Sequence, residues 1–304
     1  MGLAVGIVNE IENYSQNHHT PLIRPGRGRT SAHRQGAGGV IRVGGHLGEW
    51  MQGRLGTDGP VALISLPCPD LVVTAVLTVA GAGLRLHSTG PRILGTGRAS
   101  RLLRRLGLRL GGRVVLRAEM PVGGGAGAST AALVALARLA GWDGDPLDLA
   151  RACIAVEGAS DPLMLPDADR LLWASRRGEV LAVLPPLPDF DLIGGFQGPP
   201  QRTDPLDSRF ADISDLVGAW QVARHLPQFA ALATDSARRT LLLRRPQDLS
   251  VLALGQGIGA LGTVIAHTGS ARGFIFPPGA LPPEGRGVLR RAGWTGVFEM
   301  RRRA

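Results

Sequence analysis

The residues best suited to chemistry lie in one glycine-rich run, Glu119-Met120-Pro121-Val122-Gly123-Gly124-Gly125-Ala126-Gly127-Ala128-Ser129-Thr130. Glycines let a backbone turn through positive φ and let an anion approach the amides with no Cβ in the way. Val114, Leu116, Ala118 and Met120 alternate just before the run and read as one face of a strand. Ser129 to Ala140 is Ala/Leu-rich and reads as a helix, with Gly141 where a C-terminal cap belongs. The first turn of that helix leaves N–H groups free and carries partial positive charge, so loop and helix together suit a phosphate. Ser129 adds a hydroxyl that can cap the helix or ligate a phosphate-bound Mg2+. The chain contains no lysine, so the loop is not a Walker A motif. Gly123, Gly125 and Ala128 roughly fit Gly-x-Gly-x-x-Gly/Ala, but no acidic residue follows about 20 positions on at the end of a second strand. A tight turn with only a structural role is the alternative.

Other elements must position this loop. Residues 40–43, 61–66 and 71–79 read as strands, the last two rich in β-branched residues. Helices fit 98–106 and 146–157. Pro185-Pro186-Leu187-Pro188 marks a domain boundary. Beyond it the pattern is a strand (189–196), helices (213–225, 227–243 and 247–258), strands (262–267 and 273–277), a helix (283–292) and a strand (295–301). That order predicts a βαββαβ split sandwich. Residues 1–38 read as a flexible extension, with a short helix over 3–14 and a Pro/Gly/Arg-rich stretch after it. The expected division is therefore 1–38, 39–185 and 186–304.

Composition narrows the class. At 304 residues the chain predicts about two domains, and it is long enough to bury a core without disulfide staples. A hydrophobic fraction of 44% excludes a mostly disordered chain. The 44 glycines have no three-residue period, which excludes collagen. The formal charge of +10 makes anionic ligands or nucleic acid worth testing, against a general bias toward arginine. Aromatics that would stack on bases make up only 4%, so no nucleic-acid partner is expected. Two cysteines, Cys68 and Cys153, form neither a zinc site nor a disulfide framework and fit a reducing cytoplasm. The first twenty residues carry Glu10 and Glu12 and do not read as a secretory leader. The longest apolar stretch, 71–84, is too short to span a bilayer, so no membrane partner is expected.

Pro121 to Ser129 resembles the second motif of the GHMP small-molecule kinases, Pro-x-x-x-Gly-x-Gly-x-Ser. Two other segments resemble motifs of one subfamily, the propanediol-utilisation type of L-threonine kinase. Gly45-His46-Leu47-Gly48-Glu49-Trp50-Met51-Gln52-Gly53 is similar to its first motif, and Ala266-His267-Thr268-Gly269-Ser270-Ala271-Arg272-Gly273 to its third. The departures are Ala126, where the motif usually has a large residue, and Ala128, where it has its first serine.

The resemblance implies an α+β GHMP kinase fold. Its N-terminal domain would be like ribosomal protein S5 domain 2, and its C-terminal domain would be ferredoxin-like. It also implies ATP and Mg2+, a small hydroxyl-bearing substrate, and phosphorylation of L-threonine to O-phospho-L-threonine in cobalamin synthesis. The phosphates would lie on Pro121, Gly123, Gly124, Gly125, Ala126, Gly127, Ala128, Ser129 and Thr130. Ser129 and Glu157 would hold the metal, although Glu157 equally reads as a solvated helix end. Asp161, in a segment similar to the family's Glu-Pro-Thr-Asp, would accept or orient the hydroxyl proton, or merely start a turn before Pro162. Substrate contacts would come from His46, Glu49, Gln52, His267, Thr268, Gly269, Ser270 and Arg272, with Arg272 as partner for a carboxylate or phosphate. Glu49 reads equally as a loop glutamate with local backbone bonds, and a hydrogen-bonded structural histidine is the plainer reading of His267. The rivals are a kinase for another alcohol or amino alcohol, a catalytically inactive binding protein of the same fold, and a nucleic-acid binder.

Overall fold

A computed structural model describes residues 39–201 and 204–303. The expected extension over 1–38 lies outside them. Among the described residues ten strands join into one sheet, which runs through both halves of the chain.

The first half is built on two long antiparallel strands, β1 (Val40–Arg54) and β2 (Val61–Ala80). The sequence suggested shorter pieces separated by loops. The strands run on because β1 bends instead of ending: its register against β2 shifts at Gly44/Gly45 and again around Glu49. Such irregularities bend a strand and re-aim its side chains. They put the first motif inside a strand, which corrects the reading of Glu49 as a loop residue. Leu84–Ser88 (β3) and Gly112–Ala118 (β4) are parallel, and helix α1 (Thr96–Arg105) lies between them in the chain. Helix α1 buries Ala99, Leu102 and Leu103 and turns its arginines outward.

Helix α2 (Ala128–Leu139) follows the glycine loop and is buried nearly all round, as its Ala/Leu composition requires. Helix α3 (Pro146–Glu157) has its ends written in the sequence. Asp145 caps it by accepting from the Leu147 N–H at 2.7 Å, Pro146 opens the first turn, and Gly158 closes it at φ 83°. The short hairpin β5 (Leu171–Ala174) and β6 (Glu179–Val183) follows, and neither strand was expected.

The second half has the expected βαββαβ order. Its strands are β7 (Phe190–Phe196), β8 (Gly262–Ile265), β9 (Ala271–Phe276) and β10 (Thr295–Arg302). Helices α4 (Ser214–Val222), α5 (Leu226–Arg244) and α6 (Ser250–Gly257) come before β8, and α7 (Gly285–Arg291) comes before β10. The order β10-β7-β9-β8, antiparallel throughout, is that of a ferredoxin-like sheet. One residue pair, Glu49 with Ile265, joins β1 to β8 and so links the halves. No helix among the described residues is long and apolar enough to cross a membrane.

Aromatic packing reinforces that link. The Trp50 ring meets Phe190 edge-on at 5.1 Å and Trp220 at 5.8 Å, and Trp220 in turn meets Phe229 at 4.8 Å. Trp50 and Trp220 are fully buried. Removing Trp50 therefore leaves a cavity where the first strand meets β7 and α4. Trp50→Ala should destabilise the fold by about 3–5 kcal/mol, read as a lower midpoint in urea unfolding.

Candidate active site

The three sequence segments meet backbone to backbone. The N–H groups of Ser270 and Ala271 donate to the Gly124 carbonyl at 2.9 and 2.7 Å, and the His46 N–H donates to the Ala126 carbonyl at 3.3 Å. Gly125 has φ 78°, and a Cβ there would lie 2.3 Å from the Thr268 carbonyl oxygen and from the Ala266 Cβ. Gly269 has φ 88°, and its Cβ would lie 2.4 Å from the Gly124 carbonyl carbon. Both positions need glycine for conformation and for space. Arg245, at the end of α5, holds the third segment from behind by donating to the Gly269 carbonyl at 2.8 Å.

A cavity of about 500 Å3 opens above this junction. Its walls include Gly123, Gly125, Ala126, Gly127, Ala128, Ser129 and Thr130 from the loop and helix start. His46, Glu49 and Gln52 come from β1, Glu157 from the end of α3, Asp161 from the segment after it, and His267 and Thr268 from the third motif. Of the expected contacts, Pro121, Gly124, Gly269, Ser270 and Arg272 do not line it. Pro121 and Gly124 close the turn beneath, with the Gly124 N–H donating to the Pro121 carbonyl at 2.9 Å. Arg272 is buried in an ion pair with Asp248 beside α6, which corrects its reading as a ligand for carboxylate or phosphate.

At one end the Ser129 hydroxyl donates to the Glu157 carboxylate, and Arg98 of α1 pairs with the same carboxylate at 3.3 Å. Burial raises the pKa of Glu157, while the Ser129 hydrogen bond and Arg98 pull it back. A hydroxyl and a carboxylate beside helix-start amides are hard oxygen donors of the kind Mg2+ takes along with phosphate and water. The residues thus fit a magnesium–nucleotide complex.

Deeper in the cavity His46 is buried between two acids. Its Nε2 lies 3.2 Å from Asp161 and its Nδ1 3.6 Å from Glu49, and Nδ1 also contacts the Gly48 carbonyl at 2.9 Å. Burial alone would lower the imidazole pKa, but Asp161 and Glu49 outweigh it and hold it at about 9. Burial lifts Glu49 to about 7 against the pull of His46. For Asp161 burial also pushes upward, but His46 and then the Thr130 hydroxyl, at 3.5 Å, bring it below the ordinary value. The three side chains offer metal-ligand atoms within 4.8 Å of one another. With the imidazole protonated between the two acids, the cluster is an ion-pair network.

His267 takes the opposite state. It is buried and stacks on Phe210 with ring centres 4.0 Å apart, and burial with nearby Arg244 lowers its pKa to about 3. Its backbone N–H donates to Glu49 at 3.4 Å, so the third motif reaches the first through this carboxylate.

Sequence reasoning missed Arg98, Arg101, Arg176, Gln201, Asp204, Asp207 and Phe210, which all line the cavity. No local pattern marks them, because they reach the wall from α1, from the turn between β5 and β6 and from the stretch before α4, which are far apart in sequence.

No protein-family model matches the chain, and no curated protein matches it. Solved structures do. The mevalonate kinase of Methanococcus jannaschii aligns with a TM-score of 0.57 and 11% identity, covering 88% of this chain and 98% of the other. The homoserine kinase of Cytophaga hutchinsonii aligns at 0.56 and 17%, covering 91% and 96%. The mevalonate pyrophosphate decarboxylase of Streptococcus pyogenes aligns at 0.55 and 12%, covering 87% and 97%. The chain therefore has the GHMP kinase fold.

The His46 network has a pH signature. Its folded pKa of about 9 exceeds the ordinary 6.5, so its stabilisation is complete below about pH 6.5 and is lost as pH rises through about 9. Unfolding free energy should decline across that window in the native protein. His46→Gln should remove the decline, as measured by denaturant titrations at successive pH values.

Proposed function

We propose that this chain is an ATP-dependent kinase for a small hydroxyl-bearing metabolite, with L-threonine as acceptor and O-phospho-L-threonine as product for the nucleotide loop of cobalamin. One observation carries the reading: a single cavity is lined by a glycine loop at a helix start, an oxygen pair suited to Mg2+, and a carboxylate beside a buried cation. The GHMP fold and the three-motif resemblance support it. In this proposal residues 39–185 hold the nucleotide and residues 186–304 complete the cavity.

The loop amides from Gly123 to Thr130 hold the β- and γ-phosphates. Ser129 and Glu157 hold magnesium, which when bound neutralises charge on those phosphates. The acceptor oxygen bonds to the γ-phosphorus, the bond to the bridging oxygen of ADP breaks, and Asp161 receives or orients the hydroxyl proton. An Asp161 held below its ordinary pKa is a weak base. That is enough for a loose transition state, which depends on positioning and charge more than on deprotonation. His46 fixes the carboxylate in place. With His46 protonated, the cluster carries a net negative charge once the pH exceeds the value of about 7 at which Glu49 ionises, and that charge suits the ammonium of an amino acid.

L-threonine, L-serine and L-homoserine should each be tested for acceptor-dependent ADP release. Asp161→Asn should lower kcat by about 100-fold or more while leaving nucleotide binding intact. Glu157→Gln should move the magnesium requirement to higher concentration. Full activity in both variants would remove these roles.

A further inference from the structure

Arg176 is a cation on the cavity wall that has no carboxylate within ion-pair distance among the described residues. It sits in the turn between β5 and β6 and is half-buried. Its hydrogen-bonded partner among the described residues is the Asp207 carbonyl, at 2.5 Å, and no carboxylate lies within ion-pair distance. The two other arginines on the wall, Arg98 and Arg101, are exposed on α1, and Arg98 already pairs with Glu157.

The surroundings hold Arg176 in place. Its guanidinium lies 5.2 Å over the Phe210 ring, and that ring stacks on buried His267. The Asp207 carboxylate is occupied elsewhere, by Arg244 at 2.5 Å and Arg209 at 3.4 Å. Burial lowers the Arg176 pKa and Arg54 adds to the effect, while Asp207 and Asp204 oppose it, so an anion arriving at the guanidinium would act in the same direction as those two acids.

The same hairpin is bonded to the segment that carries Asp161. The Ser160 N–H donates to the Ser175 carbonyl at 2.9 Å, and the Trp173 indole N–H donates to the Ser160 carbonyl at 2.7 Å. Asp161 and Arg176 thus follow two residues that are bonded to each other, on the wall reached by an acceptor and not on the phosphate loop. Asp204 also lines this part of the cavity, and its charge disfavours a dianion. A single planar guanidinium fork matches a carboxylate.

Resting on the kinase reading above, we infer that Arg176 sets acceptor specificity by binding the carboxylate of a small hydroxy or amino acid. This takes the place that the sequence suggested for Arg272.

The test compares wild type, Arg176→Gln and Arg176→Lys on L-threonine and on L-threoninol, which lacks the carboxylate. It uses steady-state kinetics and calorimetric binding with a non-hydrolysable ATP analogue, and repeats them with serine and homoserine and their alcohols. In wild type the acid should be preferred. Arg176→Gln should raise KM or Kd for the acid about 10-fold or more and change the alcohol less than about 2-fold, with KM for ATP unchanged. Arg176→Lys should fall between, because it keeps the charge and loses the fork. An unchanged preference in Arg176→Gln, equal losses on both acceptors, or a rise confined to ATP would overturn this inference and leave the kinase reading standing. No binding and no turnover with any acceptor would overturn both.

Discussion

The cavity depends on how closely three stretches of backbone approach one another. The third motif donates two N–H groups to the Gly124 carbonyl, and the first motif reaches the Ala126 carbonyl through His46. Gly125 and Gly269 sit where any Cβ would overlap the neighbouring chain. The contact fixes the loop from both sides. The first residues of α2 then line the cavity on a frame set by backbone contacts. Preorganised donors of this kind hold charge without rearranging when it arrives. The cost is low tolerance, because the junction has no slack to absorb a larger residue.

Charge is distributed over this frame with a clear division. The imidazole between Asp161 and Glu49 is held protonated, and the imidazole stacked on Phe210 is held neutral. Burial acts against the charged form in both, and only His46 has carboxylates close enough to reverse it. Glu49 ties the two together, facing the His46 ring and accepting the His267 N–H. The wall thus has an oxygen-rich end at Ser129 and Glu157, an acidic middle at Asp161 and Glu49, and a cation at Arg176.

Much of this could be read from the residues in order. The strand, glycine loop and helix around 112–139 follow from alternation, glycine spacing and Ala/Leu content. The caps Asp145 and Gly158 bound α3, and the order of elements after residue 188 matches the ferredoxin-like sheet. The first motif was harder to place because β1 stays paired through its register shifts, where its glycines suggested a loop. The hairpin β5–β6 was missed because Leu171-Leu172-Trp173-Ala174 is a short, wholly buried run, which has no strand signature of its own. Arg176 depends on that hairpin and Phe210 on a tertiary stack, so neither could be singled out from neighbours in sequence. Arg272 drew attention through its motif, but its charge is satisfied by Asp248, a partner that only the fold supplies.

In the proposed reaction the glycine loop and Asp161 serve one phosphoryl transfer. Phosphorus NMR of the protein with Mg·ATP and L-threonine tests it most directly, because it follows donor and product together. The γ-phosphate signal should disappear in step with a new phosphomonoester signal, one for one, and only when the acceptor is present. An unchanged ATP spectrum with every hydroxylated amino acid, or conversion to inorganic phosphate at a rate indifferent to acceptor, would contradict it.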